Sequence, residues 1–276
     1  MARVLAISSQ VARGHIGLSA VVPALQRLGH EVWPLPTILL SNHPGHPHAA
    51  GMRIDPAVLE EMVDALERNG WLGEVDAVIT GYLPSPEHVQ FSASVIRRLR
   101  GTKDVFYLCD PVLGDEPEGV YIDPHAAGAI REELVPCADV LTPNRFELQW
   151  LAEKQAETPD DLVGLAATLK VPRVVVTSAF RHDGLISTLL IGADGRYSCS
   201  APYREPVPHG TGDFFAGLML GHQLNDRSAV EAMALAAAGL DHALSFSESR
   251  DELQLVASQA AWAAPDPLPV RPWEGE

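Results

Sequence analysis

Cysteine is scarce in this chain of 276 residues: Cys109, Cys137 and Cys199 are odd in number, widely spaced and without any C-x-x-C pairing. That pattern excludes a disulfide framework and a zinc ribbon, and free thiols fit a reducing compartment. Long apolar runs are missing too. The run at the start, Met1–Ile7, is too short for a secretory leader and gives way to Ser8-Ser9-Gln10. No other run approaches ~20 residues, so no membrane span is expected and we place the protein in the cytoplasm. Positive charge is in short supply, with 20 Lys and Arg against 36 Asp and Glu, a formal net charge of −16. Such a surface repels a phosphate backbone and argues against a nucleic-acid partner. Screening beyond roughly 8 Å still allows a local pocket to hold a nucleotide. Three phosphate-handling signatures are also absent. Without G-x-x-x-x-G-K-[ST] the chain is not a P-loop kinase. Without G-x-G-x-x-G after the first strand a standard dinucleotide fold is not expected, and the protein-kinase motif set is missing.

What is present is ordinary globular material, 46% apolar and 20% charged, enough for a large core. Short apolar runs alternate with helical patterns. Strands are expected at 3–8, 31–35, 76–80, 104–109, 139–141 and 173–177, with helices at 18–28, after Pro86, and at 124–135, 146–153, 213–224 and 229–245. Leu185–Ile191 and Arg196–Ser200 read as a hairpin turning at Ala193-Asp194-Gly195. Alternating β and α units imply a mostly parallel sheet covered by helices on both faces, with ligands beyond the carboxyl ends of its strands. Ser9, Tyr82, Asp110, Thr142 and Ser178 fall at those ends.

Four segments carry candidate chemistry. Gly210-Thr211-Gly212-Asp213 stands just before the helical run Phe214–Leu218. Glycines let backbone N–H groups approach an anion, and a helix N-terminus adds partial positive charge. A carboxylate beside such a hole suits a base that accepts a proton from an attacking hydroxyl, although Asp213 or Thr211 could equally be a helix cap. In Cys109–Asp115, Asp110 sits at a strand tip before Pro111, either meeting the water shell of Mg²⁺ or starting a turn. Asn144 and Glu147 have capping-box spacing, and Glu147 could also face Mg²⁺ waters. Ser41–His48 holds three of the eleven histidines between prolines. That arrangement reads as a solvated or substrate-facing loop, since zinc would want three or four rigidly held ligands.

The order of these pieces resembles the ribokinase-like superfamily and, within it, the pyridoxal kinases. The likeness runs from about Val4 to Leu244. It rests on Gly14–Gly17 with Ser19-Ala20, Glu31-Val32-Trp33, Ser41-Asn42-His43, Thr80–Leu83, Cys109–Asp115, Thr142-Pro143-Asn144 with Glu147, Val176-Thr177-Ser178 and Gly210–Asp213. The resemblance implies a three-layer α/β/α fold, ATP and Mg²⁺ as cosubstrates, and a homodimer. It implies phosphorylation of the 5′-hydroxymethyl group of pyridoxal, with Asp213 as base and Gly210, Thr211 and Gly212 as the hole for the transferring phosphoryl. Ser9, His43 and Tyr82 would hold the pyridine ring. Asp110, Thr142, Glu147 and Thr177 would line the nucleotide side, with Asp110 and Glu147 toward Mg²⁺. We read residues 1–262 as one such domain and 263–276, with four prolines from Pro265 onward, as an extended tail. The chain departs from the family where many members have Thr after Asn-His. Here Pro44 has neither hydroxyl nor N–H, and an aromatic often found further along is replaced in His48-Ala49-Ala50. A lost neutral hydrogen bond costs about 0.5–1.5 kcal/mol, which leaves the preferred vitamer open. Two other readings stay in play: a kinase for a hydroxymethylpyrimidine or a sugar, and a pyridoxal-binding protein of low turnover.

Overall fold

The computed structural model describes residues 1–275. In chain order the elements are β1 (Arg3–Val11), α1 (Leu18–Arg27), β2 (Glu31–Leu40), β3 (Gly51–Arg53), α2 (Pro56–Arg68), β4 (Ala77–Thr80), α3 (Pro86–Arg100) and β5 (Phe106–Cys109). A small hairpin of β6 (Gly114–Asp115) and β7 (Gly119–Val120) follows, then α4 (Pro124–Ala129), β8 (Val140–Leu141), α5 (Arg145–Leu151), α6 (Pro159–Thr168) and β9 (Arg173–His182). The chain closes with β10 (Leu185–Gly192), β11 (Gly195–Pro202), α7 (Thr211–Leu224), α8 (Ala229–Phe246), α9 (Gln259–Trp262) and β12 (Val270–Pro272). Beyond α4, a wider turn over Ile130–Leu134 and a tight one over Val135–Cys137 continue the helical path expected there.

One ten-stranded sheet runs in the order β12-β11-β10-β9-β8-β5-β4-β1-β2-β3. Its six central strands, from β9 to β2, are parallel, and antiparallel pairs finish both edges. Because successive strand side chains point to opposite faces, neighbouring residues sort into two cores. Leu5, Ile7, Val78, Val174 and Val176 pack under α2 to α6. Val4, Ala6, Ala77, Ile79 and Val175 pack against α1, α7, α8 and α9. The three-layer α/β/α architecture follows directly from that alternation.

Strand β2 runs on to Leu40, well past the expected end at Leu35. Pro34 and Pro36 mask its pattern, but β3 pairs with β2 only from Ile38 onward. A missing N–H is tolerated on a strand edge that has no partner at that point. The amphipathic α2 buries only Leu59 and Val63 and carries a weak apolar signal; its start is marked by Asp55, whose side chain accepts the Ala57 N–H at 2.9 Å. Helix α6 opens with a capping box of Thr158 and Asp161. In the segment read as an extended tail, Val270–Pro272 pairs antiparallel with β11 and becomes the outermost strand.

Candidate active site

Strand β1 lies between β2 on one side and β4 on the other, so the chain reverses its direction of travel across the sheet at this strand. An open α/β sheet forms its ligand crevice at such a point, outside the strand carboxyl ends. Ser8, Thr80, Gly81, Asp110 and Asp213 line the recess found there. The segments 8–9, 80–82, 110 and 142 arrive from the ends of four parallel strands, and 210–213 arrives from the start of α7.

Helix α7 is placed by its contact with α1. Glycines at 217 and 221 let the two helices approach closely: an added Cβ would lie 3.1 Å from the Ala24 Cβ at Gly217, and 2.6 Å from the Leu28 Cδ1 at Gly221. Both helices therefore begin at the same end of the sheet. The N-cap of α7 is Gly210, with φ 92°, and no side chain caps this helix. Any Cβ at 210 would also lie 1.9 Å from the His15 carbonyl oxygen, so the position demands glycine on two counts. The first intrahelical bond runs from Phe214 N–H to Gly210 O at 3.0 Å. The amides of Thr211, Gly212 and Asp213 precede it and are left for an anion. Space beside Gly212 is open: a Cβ there would meet nothing within 4 Å apart from its chain neighbours and its own helix backbone.

Asp213 does not cap its helix. Its carboxylate accepts the backbone N–H of Gly17, at the start of α1, and burial raises its pKa to about 6 against that hydrogen bond. Asp110 is buried, and burial followed by the charge of Asp213 pushes it up to about 8, while the Thr142 hydroxyl donates to its Oδ1 at 2.8 Å and opposes the rise. Glu147 is buried beside Asp110, and burial and that neighbour raise its pKa well above the carboxylate range. Both its oxygens serve the backbone: Oε1 accepts Leu113 N–H at 2.9 Å and Oε2 accepts Asn144 N–H at 2.9 Å. The capping box with Asn144 is complete, since Asn144 Oδ1 accepts Glu147 N–H at 2.8 Å. Tyr121, missed in the sequence, stands half exposed within reach of the charges of Glu147, Asp213, Asp110 and Asp115.

Among the described residues no three His, Cys, Asp or Glu side chains gather as a metal cage. The donor set nevertheless suits Mg²⁺, which takes few protein ligands and keeps its waters. The carboxylate at 213 adds to burial in raising the proton affinity of Asp110, and a divalent ion would relieve that repulsion. Asp110 would be the side chain to face it, while Glu147, committed to three backbone amides, would meet its water shell.

On the other side of Asp213, the Tyr82 N–H donates to Ser8 Oγ at 2.9 Å, and a Cβ built at Gly81 would lie 2.5 Å from the same oxygen and 3.6 Å from Asp213 Oδ1. Ser9 is buried against Gly17. The Tyr82 ring is half-buried, and its backbone carbonyl accepts the Thr37 hydroxyl at 2.8 Å. Thr177 lies beyond Asp110 on β9, its N–H donating to Pro143 O at 2.9 Å next to Asn144. His43 stacks on His209, the residue before the hole, and His46 meets Glu252 at 3.3 Å. His209 and Glu252 are further residues the sequence reading did not pick out, because neither belongs to a local motif. Arg204, in the segment before the hole, pairs with Asp241.

The chain matches the phosphomethylpyrimidine kinase family over residues 29–256. It is 37% identical to pyridoxal kinase PdxY of Rubrobacter xylanophilus over 280 residues, covering 97% of this chain and 95% of that protein. To PdxY of Deinococcus radiodurans it is 35% identical, covering 95% and 93%. Among solved structures, pyridoxal kinase of Leishmania donovani in complex with ADP and pyridoxine superposes with a TM-score of 0.90 at 29% identity, covering 98% of each chain. With a fold shared end to end and more than a third of its residues identical to those of such relatives, the chain belongs to the pyridoxal kinases.

Proposed function

We propose that the chain transfers the γ-phosphate of ATP to the 5′-hydroxymethyl oxygen of pyridoxal, with Asp213 as the base. One observation carries the role of Asp213. A carboxylate in the first turn of α7, free of any capping duty, is held by Gly17 N–H beside three open amides. Its pKa of about 6 leaves it ionised at neutral pH yet close enough to take a proton as the acceptor oxygen attacks. The amides of residues 211–213 meet the negative charge that spreads over the transferring phosphoryl oxygens. Mg²⁺, carried by the nucleotide, would neutralise the phosphates beside Asp110. The rest is positioning: Thr142 and Thr177 on the nucleotide side, and Ser9, Tyr82 and His43 around the ring.

Because the matching family is that of the phosphomethylpyrimidine kinases, a hydroxymethylpyrimidine is the natural rival acceptor. ADP release with Mg·ATP should be measured against pyridoxal, pyridoxine, pyridoxamine, 4-amino-5-hydroxymethyl-2-methylpyrimidine and ribose. Pyridoxal should give the highest kcat/KM. A clear win for the pyrimidine or the sugar would transfer the assignment to it, and tight pyridoxal binding with no ADP release would indicate a carrier.

The protein acts as a homodimer in this reading. Leu39 and Met52, paired across the outer strands, and Val58 and Met62, one turn apart on α2, are exposed apolar side chains around the open edge of β3. Such a patch beside an unpaired edge calls for cover. Light scattering should give twice the chain's mass, and Met52→Glu with Met62→Glu should halve it. A monomeric wild type would refute the dimer.

A further inference from the structure

The loop between β2 and β3 reads Ser41-Asn42-His43-Pro44-Gly45-His46-Pro47-His48, and no element of secondary structure supports it. Three sets of contacts hold it. Asn42 Nδ2 donates to His43 O at 3.1 Å and His48 O at 3.0 Å, while Ser41 Oγ accepts the Ala50 N–H at 3.0 Å, tying the loop to itself. His46 Nε2 lies 3.3 Å from Glu252 Oε1, and the same oxygen accepts from Arg13 at 3.1 Å. Glu252, buried in the segment after α8, also presses on Gly14, so it joins this loop to the β1–α1 connection. The third contact reaches the phosphoryl hole. The His43 ring lies face to face with His209, centroids 3.6 Å apart and planes 18° from parallel. The Gly45 N–H donates to His43 Nδ1 at 3.0 Å, which fixes the plane of the ring. Burial and the neighbouring imidazoles of His209 and His46 hold His43 down to about 4, so it stacks as a neutral aromatic ring.

His209 is covalently adjacent to Gly210 and cannot shift without shifting the hole. We propose that His209 is a positioning residue for the acceptor: through its stack on His43 it keeps the 41–50 loop, and the substrate ring that loop contacts, in register with the phosphoryl hole. The inference rests on the acceptor site assigned above. It also gives a role to the residue type at 209. Pro44 brings no hydroxyl and no N–H toward the substrate, so the loop must hold the ring through placement of His43, and the stack supplies that placement.

The expected consequence is selective. His209→Ala should raise KM for the acceptor about tenfold, since loss of a stacked ring loosens the loop, while kcat at saturation and KM for Mg·ATP stay within about twofold. His209→Phe restores a flat ring at the same place and should recover most of the acceptor KM. A fold-wide or hole-wide defect would instead lower kcat and raise KM for both substrates, and Phe would not rescue it. The acceptor in these assays is whichever compound the wild type turns over best, so failure with pyridoxal alone bears on the substrate assignment and not on the stack. The proposal is overturned if His209→Ala leaves the acceptor KM unchanged, or if it impairs nucleotide and acceptor alike.

Discussion

Asp213→Asn should lower kcat by about 10²–10⁴-fold, the range expected for removing a general base from a proton transfer. Asn preserves the shape of the side chain and can still accept the Gly17 N–H, so the turn that carries residues 210–213 should keep its form. Both KM values should move little. The pH profile separates this reading from a loss of structure. With a pKa raised to about 6 by burial, the wild-type base is protonated as pH falls through that value, so the rate should drop about tenfold per unit below it. In the Asn variant that acid limb should vanish, leaving a low and flat residual rate from the amide hole and from positioning. Single-turnover measurement with pre-bound Mg·ATP is the direct check. A variant retaining a third or more of wild-type kcat would remove Asp213 from the chemistry.

Asp110→Asn should make the ligand-free protein more stable and the enzyme slower. Asp110 titrates at about 8 in the folded chain against an ordinary value of 3.8, because burial and the charge of Asp213 both penalise its ionised form. A carboxylate with a raised folded-state pKa weakens the fold as pH rises: between about 4 and 8 the folded state holds a proton that the unfolded chain has released. Asn escapes that penalty. Its advantage over wild type should be close to nil near pH 4 and should grow toward pH 8, where Tm should be higher by about 2–6 °C. Activity should move the other way, by about tenfold or more, since the carboxylate that would face Mg²⁺ and the nucleotide phosphates is gone. Thermal scans at pH 4.5, 6 and 8 without nucleotide test the first half, and steady-state kinetics the second. An Asn variant less stable than wild type at pH 8 would mean that the Thr142 hydrogen bond outweighs the repulsion.

Much of the fold was legible because its central strands are buried on both faces and read as plain apolar runs. Ala77–Thr80, Phe106–Cys109 and Arg173–Thr177 declare themselves, and Asp194-Gly195 marks the hairpin turn. Helices α2 and α6 were missed for the opposite reason. Each buries one narrow stripe, and their starts are signalled by caps at Asp55 and Thr158 that are easily passed over among polar residues. The site divides in the same way. Asp110, Glu147 and Asp213 belong to short motifs whose chemistry is local. Gly17, Ser8, His209 and Glu252 acquire their partners only through the packing of distant segments, and no spacing in the sequence announces the hydrogen bond between Gly17 and Asp213 or the stack between His43 and His209.

The bond from Gly17 to Asp213 bears on how the protein comes into being. The donor leaves the ribosome nearly two hundred residues before its acceptor, and nine strands of the ten-stranded sheet have emerged by then. Contacts of such long sequence separation form late and slowly, because the intervening chain must be ordered first. A chain that stops short of Asp213 therefore has strands but lacks the proposed base and amide hole, and it should show no ATP turnover. Regain of turnover on refolding would accordingly report the last step of assembly, while far-ultraviolet ellipticity would report the early ones.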